Sequence, residues 1–276
     1  MNLDAVADYK VLVVGDAIYD CYRFCDTLGR GTKESIISVK FREEKTYLGG
    51  VWASASHLKD LCKTVDVWHG ENAFINIKYI GAYNQKLFSV HDLKTLHNTF
   101  VPEDIASYDL VIVFDYGHGF MSNSLRERIV KEARFLAVNA QSNSSNYGFN
   151  RVNEKWPTAH LCVVDELEAR LAAHEQDTPI EDVILKLPYP STIVTMGAQG
   201  AVGYANREFY REAALTDRPI DLLGAGDAVL AVVAPFARAG CSIKELVHLG
   251  NVAGMLKVGI LGHQSHITKE QLEKHL

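Results

Sequence analysis

Short apolar runs punctuate the chain, and most close on a glycine or an acid. "KVLVVGD" (10–16) has no polar alternation, which predicts a strand buried on both faces and a loop at its C-terminal end. "TVDVW" (64–68), "LVIVFD" (110–115), "FLAVN" (135–139), "LCVVD" (161–165) and "TIVTMG" (192–197) are the further strand candidates. Helical spacing fills much of the remainder: "GGVWASASHLKDL", "SNSLRERIVKEARF", "ELEARLAAHE", "AGDAVLAVVAPFARA" and "SIKELVHLGNVAGMLKVG". Such interleaving predicts an α/β domain over 1–276, with a central, mostly parallel sheet and helices on both faces. A second pattern differs. In "SIISVKF" (35–41), Ile37, Val39 and Phe41 alternate with Ser38 and Lys40, and "FINIKYIG" (74–81) and "KLFSVHD" (86–92) also alternate. These segments predict a small β lid near 30–48 and 74–92. An exposed apolar face on such a lid marks an interface, so the expected assembly is a homodimer whose lids cover each other's ligand sites.

In open α/β sheets ligands bind beyond the C-terminal strand ends. "VVGD", "VFDYGHG", "VVDELE" and "VTMGAQG" all fall at such exits. The stretch "DLLGAGDAV" (221–229) leads into a long apolar helix and has two readings. It is a turn rich in permissive glycine and capping Asp, or an anion site in which small residues open the helix N-terminus to a phosphate. A carboxylate beside such an anion needs a task, such as taking a proton from an attacking hydroxyl. Gly49-Gly50 is a tight turn or a ligand contact, and "NAQSNSSNYGFN" (139–150) a solvated loop or a ligand-facing one.

Composition narrows the partners. The net charge is −6 and no Lys/Arg cluster is present, so neither nucleic acid nor an anionic membrane is expected. An anionic substrate then meets local donors. The five cysteines are scattered and read as reduced thiols of a cytoplasmic protein; Cys21 and Cys25 share a face if their segment is helical. The N-terminus lacks the apolar core of a signal peptide, and no apolar run approaches the ~18 residues of a membrane span. His263 and His266 in "GHQSH" have no nearby residues to complete a metal site and read as surface histidines. "VVGDAIYD" is not followed by the glycine pattern of a dinucleotide site.

Taken in order, these motifs resemble the ribokinase/PfkB family of carbohydrate kinases, and within it most of all the kinase domain of the heptose 7-phosphate kinase/adenylyltransferases. Asp221, Gly224, Ala225, Gly226 and Asp227 match the family's Asp-x-x-Gly-Ala-Gly-Asp. "VLVVGDAIYDCYRF" is similar to its opening strand, with Asp16 and Asp20 as sugar-facing acids, and Gly49 and Gly50 stand at its double-glycine motif. "FDYGHGFMS", "VTMGAQGAVGY" and "HLGNVAGMLKVGILG" are similar to later family segments. The resemblance implies a ribokinase-like fold and in-line phosphoryl transfer, which depends on positioning and charge stabilisation. The amides of Gly224, Ala225 and Gly226 would form the anion hole and Asp227 the base. ATP would lie near Thr195, Gly197, Gly200, Asn251 and Asp221.

The departures fall on the sugar side and the metal-organising side. Leu223 replaces the usual Thr, Ala53 beside Trp52 the usual Asn, and His118 the usual Lys. Asn139 stands where an Asp is usual, and the family's Asn-x-x-Glu reads Asp165-Glu166-Leu167-Glu168. Glu168 therefore either caps its helix or binds magnesium through water. The segment between "LCKTVDVW" and "FINIKYIG" is short by most of one crossover unit. The expectation is an ATP- and Mg2+-dependent kinase of a heptose-like sugar or sugar phosphate. The alternative is a non-catalytic scaffold or sensor binding nucleotide or sugar phosphate. "GHQSH" is not a nucleotidyltransferase His-x-Gly-His, so that activity would belong to a separate protein of the same pathway.

Overall fold

The computed structural model describes residues 1–31, 33–95, 102–216 and 218–276; Thr32, in the expected lid, lies outside the described residues. In chain order the strands are β1 (Lys10–Gly15), β2 (Ala17–Arg30), β3 (Ile37–Gly50), β4 (Thr64–Trp68), β5 (Asn72–Ile80), β6 (Lys86–Thr95), β7 (Leu110–Asp115), β8 (Leu136–Ala140), β9 (Leu161–Asp165), β10 (Ser191–Thr195), β11 (Ala201–Ala205) and β12 (Glu208–Glu212). The helices are α1 (Val51–Ser56), α2 (Asn123–Glu132), α3 (Val152–Lys155), α4 (Glu166–Ala173), α5 (Ile180–Leu185), α6 (Ala225–Arg238), α7 (Ile243–Val258) and α8 (Lys269–Glu273).

The main sheet has eight strands in the order β12-β11-β10-β9-β8-β7-β1-β4. Pairing is parallel from β4 through β10, and β11 and β12 extend the sheet antiparallel. The unbroken apolar runs follow from this arrangement, because alternate residues of one strand feed two cores. Val11 and Val13 pack with α1, α6 and α7 on one face, while Leu12 and Val14 pack with residues of α2 to α5 on the other. Helix α6 is the most enclosed, with every residue from Ala228 to Phe236 buried. That burial fixes where its N-terminus points, and the site is built there.

A separate four-stranded sheet, β3-β2-β5-β6, forms the lid. It takes in the expected segments near 30–48 and 74–92 and adds residues 17–30, which the apolar pattern left without an element. A helix over Cys21 and Cys25 is thereby excluded. β2 pairs antiparallel with β3 and parallel with β5, so both its edges are satisfied by a strand. The expected missing crossover is real: β4 ends at Trp68 and β5 begins at Asn72. Only His69, Gly70 and Glu71 separate the main sheet from the lid. Ile37 and Phe41 remain 60% and 58% exposed on the lid.

Candidate active site

The core of the site is the N-terminus of α6. Gly224 takes a left-handed conformation (φ 72°, ψ 15°) as its N-cap, and no side chain caps the helix. First-turn N–H groups of an uncapped helix carry partial positive charge with no partner from within the helix. A Cβ built on Gly226 meets no atom within 4 Å, so open space lies beside the helix start.

Two cavities meet here. One, of about 360 Å³, is walled by Thr195, Gly197, Gly200, Val229, Asn251 and Met255 among others, and reaches Ala225 and Gly226. The other, of about 190 Å³, lies under the lid and contains Asp20, Asn76, Gln141, Asn143, Gly224, Asp227 and His263. The helix start is the partition: Ala225 and Gly226 face one chamber, Gly224 and Asp227 the other. The first cavity is largely apolar and lined by small residues. Asn251 anchors its rim by donating to Glu212 Oε2 at 2.9 Å. Gly200 (φ 87°) is required where β11 begins, because a Cβ there would stand 2.0 Å from the Glu212 carbonyl.

Asp227 is half-buried at the junction. Burial raises its pKa, and the nearby Tyr116 hydroxyl, His263 and Lys257 draw it back down without cancelling the rise. A carboxyl held above its ordinary range is suited to taking up a proton. The Tyr116 hydroxyl beside it is buried, with the Asp227 carboxyl and the Ser54 hydroxyl as its polar neighbours.

Asp20 is placed in the lidded cavity, already held on several sides. Lys78 Nζ lies 2.7 Å and Asn76 Nδ2 3.2 Å from Oδ1, and His263 Nε2 is 3.3 Å from Oδ2. Burial alone would raise its pKa; the His263 and Lys78 contacts outweigh that and hold the carboxyl below its usual range. Gly49 makes room for it, since a Cβ there would fall 2.1 Å from Asp20 Oδ2. Gly50 (φ 57°) caps α1 against the Asp16 carbonyl and lines the lidded cavity.

Three expected residues are placed otherwise. Asp16 does not line the lidded cavity. Its carboxylate accepts from the backbone N–H groups of Tyr116 (3.0 Å) and Phe120 (3.4 Å), ordering the turn after β7, and burial with the nearby Asp115 charge pushes its pKa up to about 7. Asp221 does not line the larger cavity. It accepts from Lys86 Nζ at 2.8 Å, Gly262 N at 2.9 Å and Leu223 N at 3.1 Å, so its work is to pin the loop before α6 to the lid. Burial would raise its pKa, but these donors, Lys86 first, bring it to about 2. Glu168, 5% exposed, faces neither cavity. It forms a capping box with Asp165, and its oxygens accept from Asp165 N (2.9 Å), Ser142 N (3.1 Å) and Asn139 Nδ2 (3.3 Å). Capping is the role this geometry gives it.

Sequence reasoning missed His263, Lys78 and Asn76. His263 was expected at the surface, yet its side chain is 8% exposed and faces Asp20. The contact that turns this loop inward, Gly262 N–H to Asp221, is a tertiary one that the sequence does not show. Asn76 and Lys78 are the polar positions of an alternating strand, a pattern equally suited to a solvated face. His118 stacks on Phe74 of the lid at 3.8 Å between ring centres, and burial lowers its pKa to about 4. In the loop after β8, Gln141, Asn143, Ser144 and Ser145 face the lidded cavity.

Residues 83–270 match the pfkB family of carbohydrate kinases. The chain belongs to that family. The bifunctional protein HldE of Campylobacter jejuni subsp. doylei is 24% identical over 93% of this chain and 62% of its own length. That of Hydrogenovibrio crunogenus is 24% identical over 100% of this chain and 64% of its own. This PfkB-family chain thus spans under two thirds of these relatives. A putative ribokinase from Agrobacterium tumefaciens superposes with a TM-score of 0.71 at 21% identity, covering 97% of both chains. Ribokinase from Thermotoga maritima gives 0.73 at 14% identity, covering 97% of this chain and 99% of its own. The fold shared with these PfkB-like ribokinases covers 97% of the chain.

Proposed function

We propose that this PfkB-family protein transfers a phosphoryl group from ATP to a hydroxyl of a sugar or sugar phosphate, with a heptose phosphate the favoured acceptor. The carrying observation is the pair of cavities divided by the start of α6. A nucleotide in the larger one directs its phosphates at Ala225 and Gly226, and an acceptor in the smaller one brings its hydroxyl to Asp227. Asp227 takes the hydroxyl proton as the oxygen attacks, and the N-terminal amides of α6 stabilise the charge on the transferring group. An Arabidopsis thaliana ribokinase of the same fold, at 15% identity and a TM-score of 0.70, was solved with ribose and ATP. The heptose phosphate rests on the resemblance of the chain's motifs to the heptose 7-phosphate kinase/adenylyltransferases, and the HldE relatives match over most of this chain at 24% identity.

The donor set suits a nucleotide better than a free metal ion. Among the described residues no group of three His, Cys, Asp or Glu side chains is arranged to hold a metal. Magnesium, when bound, would neutralise phosphate charge while held chiefly by the phosphates and water, its usual habit. No helix among the described residues is long and apolar enough to cross a membrane. We further propose that the enzyme works as a homodimer in the cytoplasm.

The test is ATP turnover against a panel of heptose and hexose phosphates with magnesium. Turnover favouring a heptose phosphate supports the reading. ATP and sugar phosphate binding with no turnover on any acceptor supports the scaffold alternative instead.

A further inference from the structure

Lys257, on the last turn of α7, is 0% exposed, and the phosphoryl-transfer chemistry above does not use it. Its ammonium donates to the Leu223 carbonyl at 2.7 Å and to the Gly262 carbonyl at 2.8 Å. Both carbonyls belong to loops that build the site: Leu223 immediately precedes the α6 cap, and Gly262 precedes His263. A Cβ built on Gly224 would lie 3.5 Å from Lys257 Cε, so the side chain runs directly behind the cap.

An ammonium in such a place is costly. Burial lowers its pKa, and the surrounding charges of Asp221, Asp227 and Asp20 offset part of that penalty. Beyond supplying a donor to the two carbonyls, a buried cation does little for folding that an apolar side chain would not do as well. It does two things an apolar side chain does not. It holds the Leu223 carbonyl away from the anion site, so that the peptides following it present N–H groups forward. It also adds a full positive charge behind those half-charged groups.

Resting on the kinase reading, we propose that Lys257 is a positioning residue for the phosphate site: a resident cation that fixes the loop before α6 and biases its N-terminus toward anions. Leu223, where the family usually has Thr, takes part through its carbonyl, which any residue supplies.

Calorimetric titration of ATP and of adenosine into the parent, Lys257→Gln and Lys257→Met separates this role from packing. Glutamine keeps a donor and removes the charge; methionine keeps the length and removes both. ATP is expected to weaken about tenfold or more in each variant, with adenosine within about twofold of the parent. In Lys257→Ala, added propylammonium should tighten ATP and leave adenosine unchanged. Equal weakening of both ligands makes Lys257 a packing residue and overturns the proposal, as does unchanged ATP affinity. Failure of both the Gln and Met variants to fold assigns the ammonium to core stability and also overturns it. A parent that binds neither ligand refutes the kinase reading, and this inference falls with it; a parent that binds both beside an unaltered variant refutes this inference alone.

Discussion

At the scale of single residues, the proposed mechanism separates holding an anion from moving a proton. Gly224 and Gly226 are needed for what they lack: one adopts a left-handed cap, the other leaves open space. Asp227 is needed for what it carries. Asp227→Asn keeps size and reach and removes the base, so turnover should fall ~10²–10⁴-fold while folding and ATP binding persist. Because the carboxylate also repels phosphate, ATP binding should stay equal or tighten. Steady-state kinetics beside a binding titration checks both, and equal, non-zero turnover in parent and variant refutes the role given to Asp227. The motif around Asp227 was legible in the sequence because its residue types are dictated by local geometry. Asp16 and Asp221 were read as ligand-side acids and Glu168 as either a cap or a magnesium ligand, which marks them as special without giving their direction. A sequence shows that an acid ends a strand or opens a helix; whether it faces a ligand or a backbone amide depends on which loop folds over it.

At the scale of elements, the two kinds of strand were distinguishable because their burial differs. Continuous apolar runs became the doubly covered sheet, and alternating runs became the lid. β2 escaped notice because its mixed pattern makes sense only with β3 and β5 on either side. The lid is tied to the domain through Asp20, where Lys78 from β5 and His263 from the loop after α7 converge. Lys78→Met leaves a buried carboxylate with one fewer cation. Removing one partner of a buried pair typically costs ~3–5 kcal/mol, and the His263 and Asn76 contacts bring the expected loss to the lower end. Thermal unfolding at neutral pH should show the drop. An unchanged midpoint would mean that the pair is solvated in practice.

At the scale of the molecule, Ile37 and Phe41 on the lid call for a cover that the described residues do not supply. Sedimentation should show a dimer, and a monomer at high micromolar concentration would sink that expectation. Stability should also respond to pH in an unusual direction. Asp16 and Glu168, raised to about 7 and about 8, retain protons in the folded state that the unfolded chain has released, so their contribution falls as pH rises toward those values. His57 and His118, lowered to about 3 and about 4, act oppositely, but only up to their unfolded value of 6.5. Below pH 6.5 the opposing pairs nearly cancel and leave a plateau; above it only the acids act, so stability declines until about pH 8, a decline that Glu168→Gln should flatten in thermal scans across that range. The three-residue link between β4 and β5 carries a different consequence. With the crossover gone, β4 is the last strand of the main sheet, and no strand among the described residues lies on its outer side. A run of Thr64, Val65, Asp66, Val67 and Trp68 with free backbone groups along one edge is a template for aggregation. Its shortness and the charge of Asp66 at its centre, steadied by the Tyr108 hydroxyl at 2.8 Å, are what blunt it. One brake on edge-to-edge association at high concentration is therefore a carboxylate remote from the chemistry.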